Sequence, residues 1–251
     1  MLTVFNDNKE INIVHFPGRS QNDFPQTISM IYDNAVLNPI ENELTLLSCW
    51  TDNDKCILKK QCDKFNIFLN NILPLDYDYS QKWHMPNKIY YIIDKLKTVS
   101  TEYSLIMDGY DVLFSSTNDI LKKFKEQKYH ILFNATPFRY PDEEIDIIPN
   151  RDKLGTWNNF NAGVCLGYTE DLLKFYSQAI KYINVRNELN SEQKILRYVF
   201  KEYSDKRKQK FVFIDYKRRI TSVMSRTMCK CVQSGNNYQL YLTDAEISGI
   251  Y

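Results

Sequence analysis

The chain has 251 residues, and 32 Lys and Arg against 31 Asp and Glu leave a formal net charge of +1. Hydrophobic residues make up 43% and charged ones 25%, which excludes disordered and collagen-like classes and gives a core that needs no disulfide staples. The near-neutral balance offers no global pull toward nucleic acid, and no apolar run reaches the roughly 18 residues of a membrane span.

In chain order, residues 1–43 carry the weakest signals, with a strand pattern at Ile11 to Phe16 and a helical one at Phe24 to Leu37. From Leu44 onward apolar runs alternate with helical periodicity, the mark of an α/β domain. Leu44 to Cys49 reads as a buried strand, Asp54 to Phe65 as a helix, Asn66 to Leu69 as a short strand and Pro74 to Gln81 as a loop. Pro86 suits a first helical turn, and Ile89, Ile92, Ile93 and Leu96 share one face, which predicts a helix over Pro86 to Val99. Ser104 to Met107 is a second buried strand that ends at Asp108. Thr117 is placed to cap a helix whose core face is Ile120, Leu121 and Phe124, and His130 to Ala135 is the next strand. Pro137 to Thr156 holds three prolines and an acidic run, a long loop of the kind that serves as a lid. Phe160 to Gly167 and Phe211 to Ile214 read as strands, and Thr169 to Ile183 and Ser191 to Tyr203 as helices. No internal repeat or flexible linker interrupts the pattern.

The six cysteines lack C-x-x-C spacing and read as buried thiols. His15, His84 and His130 are scattered, and none opens an H-x-D or H-E-x-x-H pattern, which speaks against zinc hydrolase and iron oxygenase chemistry. The opening MLTVFNDNKE has no basic stretch followed by an apolar one, so the expected location is the cytoplasm. Asn134-Ala135-Thr136 matches a glycosylation sequon, which a cytoplasmic chain would not use. Lys201 to Cys231 is rich in Lys and Arg, usually a solvated face and otherwise a site for a diphosphate or an anionic partner.

Chemistry concentrates in Met107 to Phe114, MDGYDVLF, where two carboxylates follow a buried strand. Ligands of open α/β sheets bind beyond the carboxyl ends of strands, and Gly109 permits a turn tight enough for Asp108 and Asp111 to converge on one ion. Oxygen ligands suit Mn²⁺ or Mg²⁺, which takes its remaining ligands from substrate phosphates. The plainer alternative is a strand exit with one aspartate capping backbone amides.

This segment resembles the metal-binding Asp-x-x-Asp stretch of the glycosyltransferase domain of procollagen lysyl hydroxylases and related collagen glycosyltransferases. Four further blocks keep the same order: ILFNATPFRYP from Ile131, FNAGVCLGY from Phe160, SEQKILRYVF from Ser191 and FVFIDYKRRI from Phe211. The resemblance implies a GT-A-like, Rossmann-like fold with a mixed central sheet, a UDP-sugar donor and Mn²⁺. Asp108 and Asp111 match its metal carboxylates. Tyr110 matches the aromatic beside the donor base, or is a core tyrosine. Lys88 matches a basic position loosely and is expected to be a solvated helix lysine.

Departures are equally specific. The family's acidic pair before a glutamine reads Ser191-Glu192-Gln193 here, so Glu192 is either catalytic or a helix N-terminal acid. Tyr140 stands where the family has a tryptophan bordering the acceptor, and Asn161 and Gly163 match an Asn-x-Gly stretch near the donor sugar. The family's His-Gly-Asn-Gly turn, which completes its metal site, reads Ser234-Gly235-Asn236-Asn237. Serine is a poor substitute for imidazole, while Gly235 and Asn236 remain able to present amides to a phosphate.

These readings converge on one α/β domain, with residues 44–114 as nucleotide-binding half and residues 115–251 as acceptor half. The expected activity is metal-dependent transfer of a hexose from a UDP-sugar to an acceptor hydroxyl on a glycan or protein. The alternatives are a non-catalytic nucleotide-sugar-binding domain and a nucleotidyltransferase.

Overall fold

The computed structural model describes residues 2–6, 9–17, 22, 24–74, 76–78, 86–137, 157–185, 191–205, 211–224, 227–234 and 237–244. Its elements are β1 (Leu2–Asn6), β2 (Lys9–Glu10), β3 (Ile13–His15), α1 (Pro25–Asn34), β4 (Leu44–Cys49), α2 (Ile57–Lys64), β5 (Asn70–Asn71) and α3 (Asn87–Leu96). There follow β6 (Tyr103–Asp108), β7 (Val112–Phe114), α4 (Ile120–Gln127), β8 (Ile131–Thr136), β9 (Asn159–Tyr168), α5 (Thr169–Val185) and α6 (Glu192–Asp205). The chain continues through β10 (Val212–Ile214), β11 (Thr221–Val223), β12 (Thr227–Ser234) and β13 (Asn237–Asp244).

The central sheet has the order β10-β8-β9-β6-β4-β5, and β9 runs antiparallel to both neighbours while the other pairs are parallel. Both faces are covered, so its strands read as continuous apolar runs. Period-two alternation divides β6 cleanly. Ile106 faces a core built with Ile89 and Ile92 of α3, Phe175 and Tyr176 of α5, and Leu196 and Phe200 of α6. Leu105 and Met107 face a second core with Leu58 and Cys62 of α2 and Leu121 and Phe124 of α4.

Two smaller sheets flank this layer. In one, β3 lies between β11 and β7, parallel to the first and antiparallel to the second, with His15 opposite Val112. In the other, β12 and β13 form a hairpin, and β1 adds parallel to β13, so strands from both ends of the sequence pair. Among the described residues no helix is long and apolar enough to cross a membrane.

Several expectations shift. The strand placed at Asn66 to Leu69 forms instead at Asn70–Asn71, because Asn66 turns out of α2 with φ of 54° and Ile67 and Leu69 are buried before pairing begins. Thr117 does not cap α4; its hydroxyl donates to the Asn38 carbonyl and accepts from the Asn38 amide, and Asp119 takes the cap position at φ 56°. Cys231 is exposed, whereas Cys56, Cys62 and Cys165 are buried thiols as expected. Arg218 of the basic run is buried with its guanidinium 4.2 Å from the Trp157 ring centre, so that part of the run is not a solvated face. Most of the proposed lid, residues 138–156, lies outside the described residues.

Candidate functional site

The strand β6 carries Asp108 to the carboxyl edge of the central sheet, and Gly109 and Tyr110 reverse the chain so that Asp111 follows at once. Glycine is required at 109: a Cβ there would meet the Cys49 carbonyl oxygen at 2.7 Å and the Cys56 sulfur at 2.9 Å. The Gly109 carbonyl also accepts from the Leu58 amide at 3.2 Å and the Cys56 thiol at 3.0 Å, which fixes the turn against the start of α2.

Against the two aspartates stands a residue that motif reasoning passed over. His15, at the end of β3, points its Nε2 to within 3.4 Å of the Asp111 carboxylate and 3.9 Å of the Asp108 carboxylate. Its main chain is held as firmly, since the His15 carbonyl accepts from Met224 at 2.7 Å and the next amide, Phe16, donates to the Asp111 carbonyl at 2.7 Å. Gly163 leaves the space the imidazole occupies, because a Cβ at that position would lie 2.2 Å from its Cε1. Gly163 falls where the pairing of β8 with β9 slips between Phe133 and Asn134, an irregularity of the kind that re-aims side chains beside functional sites.

These three side chains fit a hard divalent cation. One ligand atom from each of His15, Asp108 and Asp111 can be chosen so that all lie within 4.8 Å of one another. Nε2 of His15 and Oδ1 of Asp111 are buried with no hydrogen-bond partner, a costly arrangement for polar atoms unless something else engages them. Two carboxylates and one imidazole make a donor set that can hold a divalent cation. Burial opposes a charge on His15, yet Asp111 and then Asp108 outweigh it, and the imidazole pKa stands above its ordinary value. Gly163→Ala is therefore expected to displace the ring and weaken Mn²⁺ binding by about tenfold or more, read by calorimetric titration. An unchanged affinity would mean the ring has room to spare.

A cleft of about 420 Å³ adjoins the carboxylates, lined by Cys49, Trp50, Thr51, Lys88, Gly109 and Tyr110 together with Asp108 and Asp111. The Tyr110 hydroxyl accepts from the amides of Thr51 and Asp52 at 2.8 and 3.0 Å, so its ring is held at the cleft and is not simply packed in the core. Cys49 is no nucleophile, since burial pushes its thiol up to about 12.

Lys88 is not the solvated lysine its sequence suggests. It is buried near the start of α3, with Nζ 2.6 Å from Asp108 and 2.9 Å from Glu192. Burial works against the ammonium, but Asp108 and Glu192 prevail and hold its pKa above the ordinary value. Glu192 is itself buried at the first position of α6, one oxygen on Lys88 and Oε1 with no hydrogen-bond partner, and burial raises its carboxyl above the usual range. Asn161 is also buried and accepts from the Gly163 amide at 3.0 Å, so it shapes the floor beneath His15 and does not line the cleft. Asn134, the asparagine of the sequon, is buried in β8.

Ser234 is exposed at the end of β12, opposite Asn237. An imidazole beside the two aspartates comes from His15 of β3. Tyr140, Gly235 and Asn236 lie outside the described residues.

The sequence between residues 86 and 246, more than half of the chain, matches the profile of the PLOD GT domain. The chain belongs to the PLOD GT domain family. It is therefore a member of a glycosyltransferase family, and the matched range contains Lys88, Asp108, Asp111 and Glu192 but not His15. No curated protein matches the chain significantly. Among solved structures it is similar to 4-diphosphocytidyl-2C-methyl-D-erythritol synthase from Anaerococcus prevotii DSM 20548, at 15% identity over 85% of this chain and 86% of that one with a TM-score of 0.33.

Proposed function

We propose that this PLOD GT domain moves a hexose from a UDP-sugar to an acceptor hydroxyl on a glycan or protein, with Mn²⁺ or Mg²⁺ held by His15, Asp108 and Asp111. The observation that carries the reading is the convergence of these three side chains beside a cleft bordered by Tyr110. The bound cation would neutralise the charge that develops on the departing diphosphate. Tyr110, with its hydroxyl tied down, offers one ring face to the base. Lys88 pairs with Asp108 at 2.6 Å and orients its carboxylate from the buried side, and that carboxylate also borders the cleft. Residues 44–114 would then form the nucleotide half, residues 115–251 the acceptor half, and the N-terminal segment would complete the metal site.

His15 restores the imidazole that Ser234 does not supply, which weakens the motive for a degenerate site. The buried pairing of Glu192 with Lys88 favours a second reading, a nucleotide-sugar-binding domain without turnover, because it leaves one fewer carboxylate at the cleft.

A screen of nucleotide sugars tests both. UDP with Mn²⁺ is expected to stabilise the fold by about 2.7 kcal/mol at a hundredfold excess over Kd, and Asp111→Ala to remove the metal-dependent part. Release of UDP from one donor establishes turnover, and stabilisation with no release identifies the binding domain. Equal Mn²⁺-dependent shifts in the parent and Asp111→Ala proteins would remove Asp111 from the site.

A further inference from the structure

The imidazole at the candidate site lies outside residues 86–246, the range that matches the family, so its place depends on how the N-terminal segment docks on the rest. The regular pairing of β3 with β7 covers three residues on each strand, with His15 opposite Val112 and Ile13 opposite Phe114. Ile13, Val14, Val112, Leu113 and Phe114 are all apolar and fully buried. A shifted pairing would still set apolar against apolar, so the polar and apolar alternation that ordinarily selects a register is missing. A slip of one residue would turn His15 to the opposite face of the sheet, and a slip of two would carry it about 7 Å along the strand, in either case away from Asp111.

Asn12, three residues before His15 and fully buried, makes the contacts that exclude such slips. Its side-chain nitrogen donates to the carbonyls of Ser116 at 3.2 Å and Asn118 at 2.7 Å, and its Oδ1 accepts from the Lys123 ammonium at 2.8 Å. Carbonyls only accept and an ammonium only donates, so this amide has one orientation. All three partners belong to the chain that leaves β7 and enters α4. On the main chain, the Asn12 carbonyl accepts from the Ser115 amide at 2.8 Å and the Asn12 amide donates to the Ile220 carbonyl at 2.9 Å. The Ser115 hydroxyl donates to the Ile11 carbonyl at 2.7 Å, and Lys123 donates also to the Glu10 carbonyl at 2.9 Å. A displaced β3 would strand several of these groups without partners in a buried place, which is costly. We propose that Asn12 is a positioning residue of the metal site: by clasping the segment after β7 it sets the register of β3, and that register brings His15 beside Asp111.

The inference rests on the reading of His15 as a ligand, and the experiment separates the two. Mn²⁺ affinity of the full chain is measured by calorimetric titration, and the register is read in the metal-free protein from NMR cross-strand contacts between His15 and Val112. Asn12→Ala should weaken Mn²⁺ binding by about tenfold or more and lose that contact. Asn12→Asp, which keeps the acceptor for Lys123 but sets an oxygen against two carbonyls, should do the same. In the His15→Asn background Asn12→Ala should change Mn²⁺ affinity no further, because its effect runs through the imidazole alone. Leu172→Ala controls for a general loss of stability: Leu172 lies in the core around Ile106, to which neither Ile13 nor Val14 belongs, and the variant should bind Mn²⁺ as the parent does. The proposal is overturned if a folded Asn12→Ala keeps the parental affinity, if it weakens binding equally in the His15→Asn background, or if Leu172→Ala weakens binding as much. If Asn12→Ala does not fold, Lys123→Met carries the same comparison through Oδ1 alone, with a smaller loss expected and parental affinity overturning the proposal. Full Mn²⁺ affinity in His15→Asn would defeat the ligand reading and this proposal together, whereas loss of binding there with indifferent Asn12 variants defeats this proposal alone.

Discussion

Replacing His15 with Asn is expected to cut Mn²⁺ affinity by more than about a hundredfold, beyond the roughly 10- to 100-fold that loss of an outer-shell partner produces, and to remove donor turnover with it. The size follows from the ligand count, since among the described residues His15, Asp108 and Asp111 form the cluster and one of its three donors disappears. A direct Mn²⁺ titration by electron paramagnetic resonance measures it, and affinity within a factor of a few of the parent would show that the imidazole does not ligate. The pH dependence supplies an independent arm. Because Asp111 and Asp108 raise the His15 pKa above 6.5, its charge stabilises the metal-free fold fully below pH 6.5, and that contribution is lost as pH rises through the folded value. A cation competes with the same proton, so Mn²⁺ stabilisation should grow as pH rises over that window. Thermal melts with and without Mn²⁺ should therefore diverge toward alkaline pH in the parent and run parallel in His15→Asn.

The parts of this protein legible in its sequence are those whose physics is local. Strands β4, β6, β8 and β9 are buried on both faces, so unbroken apolar runs announce them, and the end of β6 announces the two aspartates. Ladders joining distant segments leave no such trace. The pairing of β1 with β13 and of β3 with β7 comes from opposite or remote parts of the chain, and with β3 comes His15. A signal was nonetheless present: His15 closes the run Ile11 to Phe16, where a polar side chain in a buried strand demands a partner. Lys88 carried one too, at the i, i+4 spacing from Ile92 and Leu96 on the buried face of its helix. Spacing revealed the face and composition suggested solvent, and the carboxylates of Asp108 and Glu192 decided between them. The resemblance placed the counterpart of the family's histidine at Ser234, which has no imidazole, and order along the chain says nothing about which remote strand brings one beside the aspartates.

The Lys88 bridge sets the second large effect. Removing one partner of a buried pair costs about 3–5 kcal/mol, because the remaining charge stays desolvated. For Lys88→Met that charge is Glu192, whose side chain is 5% exposed; Asp108, at 35%, keeps much of its hydration and adds little. The loss should consequently be recovered by neutralising Glu192. Lys88→Met with Glu192→Leu is expected to regain most of the stability, as replacing buried ion pairs with apolar side chains of similar size commonly does. Acid should act in the same direction on the single variant. Burial already places the Glu192 carboxyl above 4.5, and removing the ammonium that lowers it raises it further. A carboxyl raised on folding weakens the fold as pH climbs above its unfolded value, so Lys88→Met should be least stable near neutral pH and regain stability toward about pH 5. Chemical denaturation across that range reads the slope. A single variant whose loss is the same at pH 5 and pH 7.5, and is unrelieved by Glu192→Leu, would mean that Lys88 acts through its packing, and the charge bridge between the metal carboxylate and α6 would have no part in holding the site.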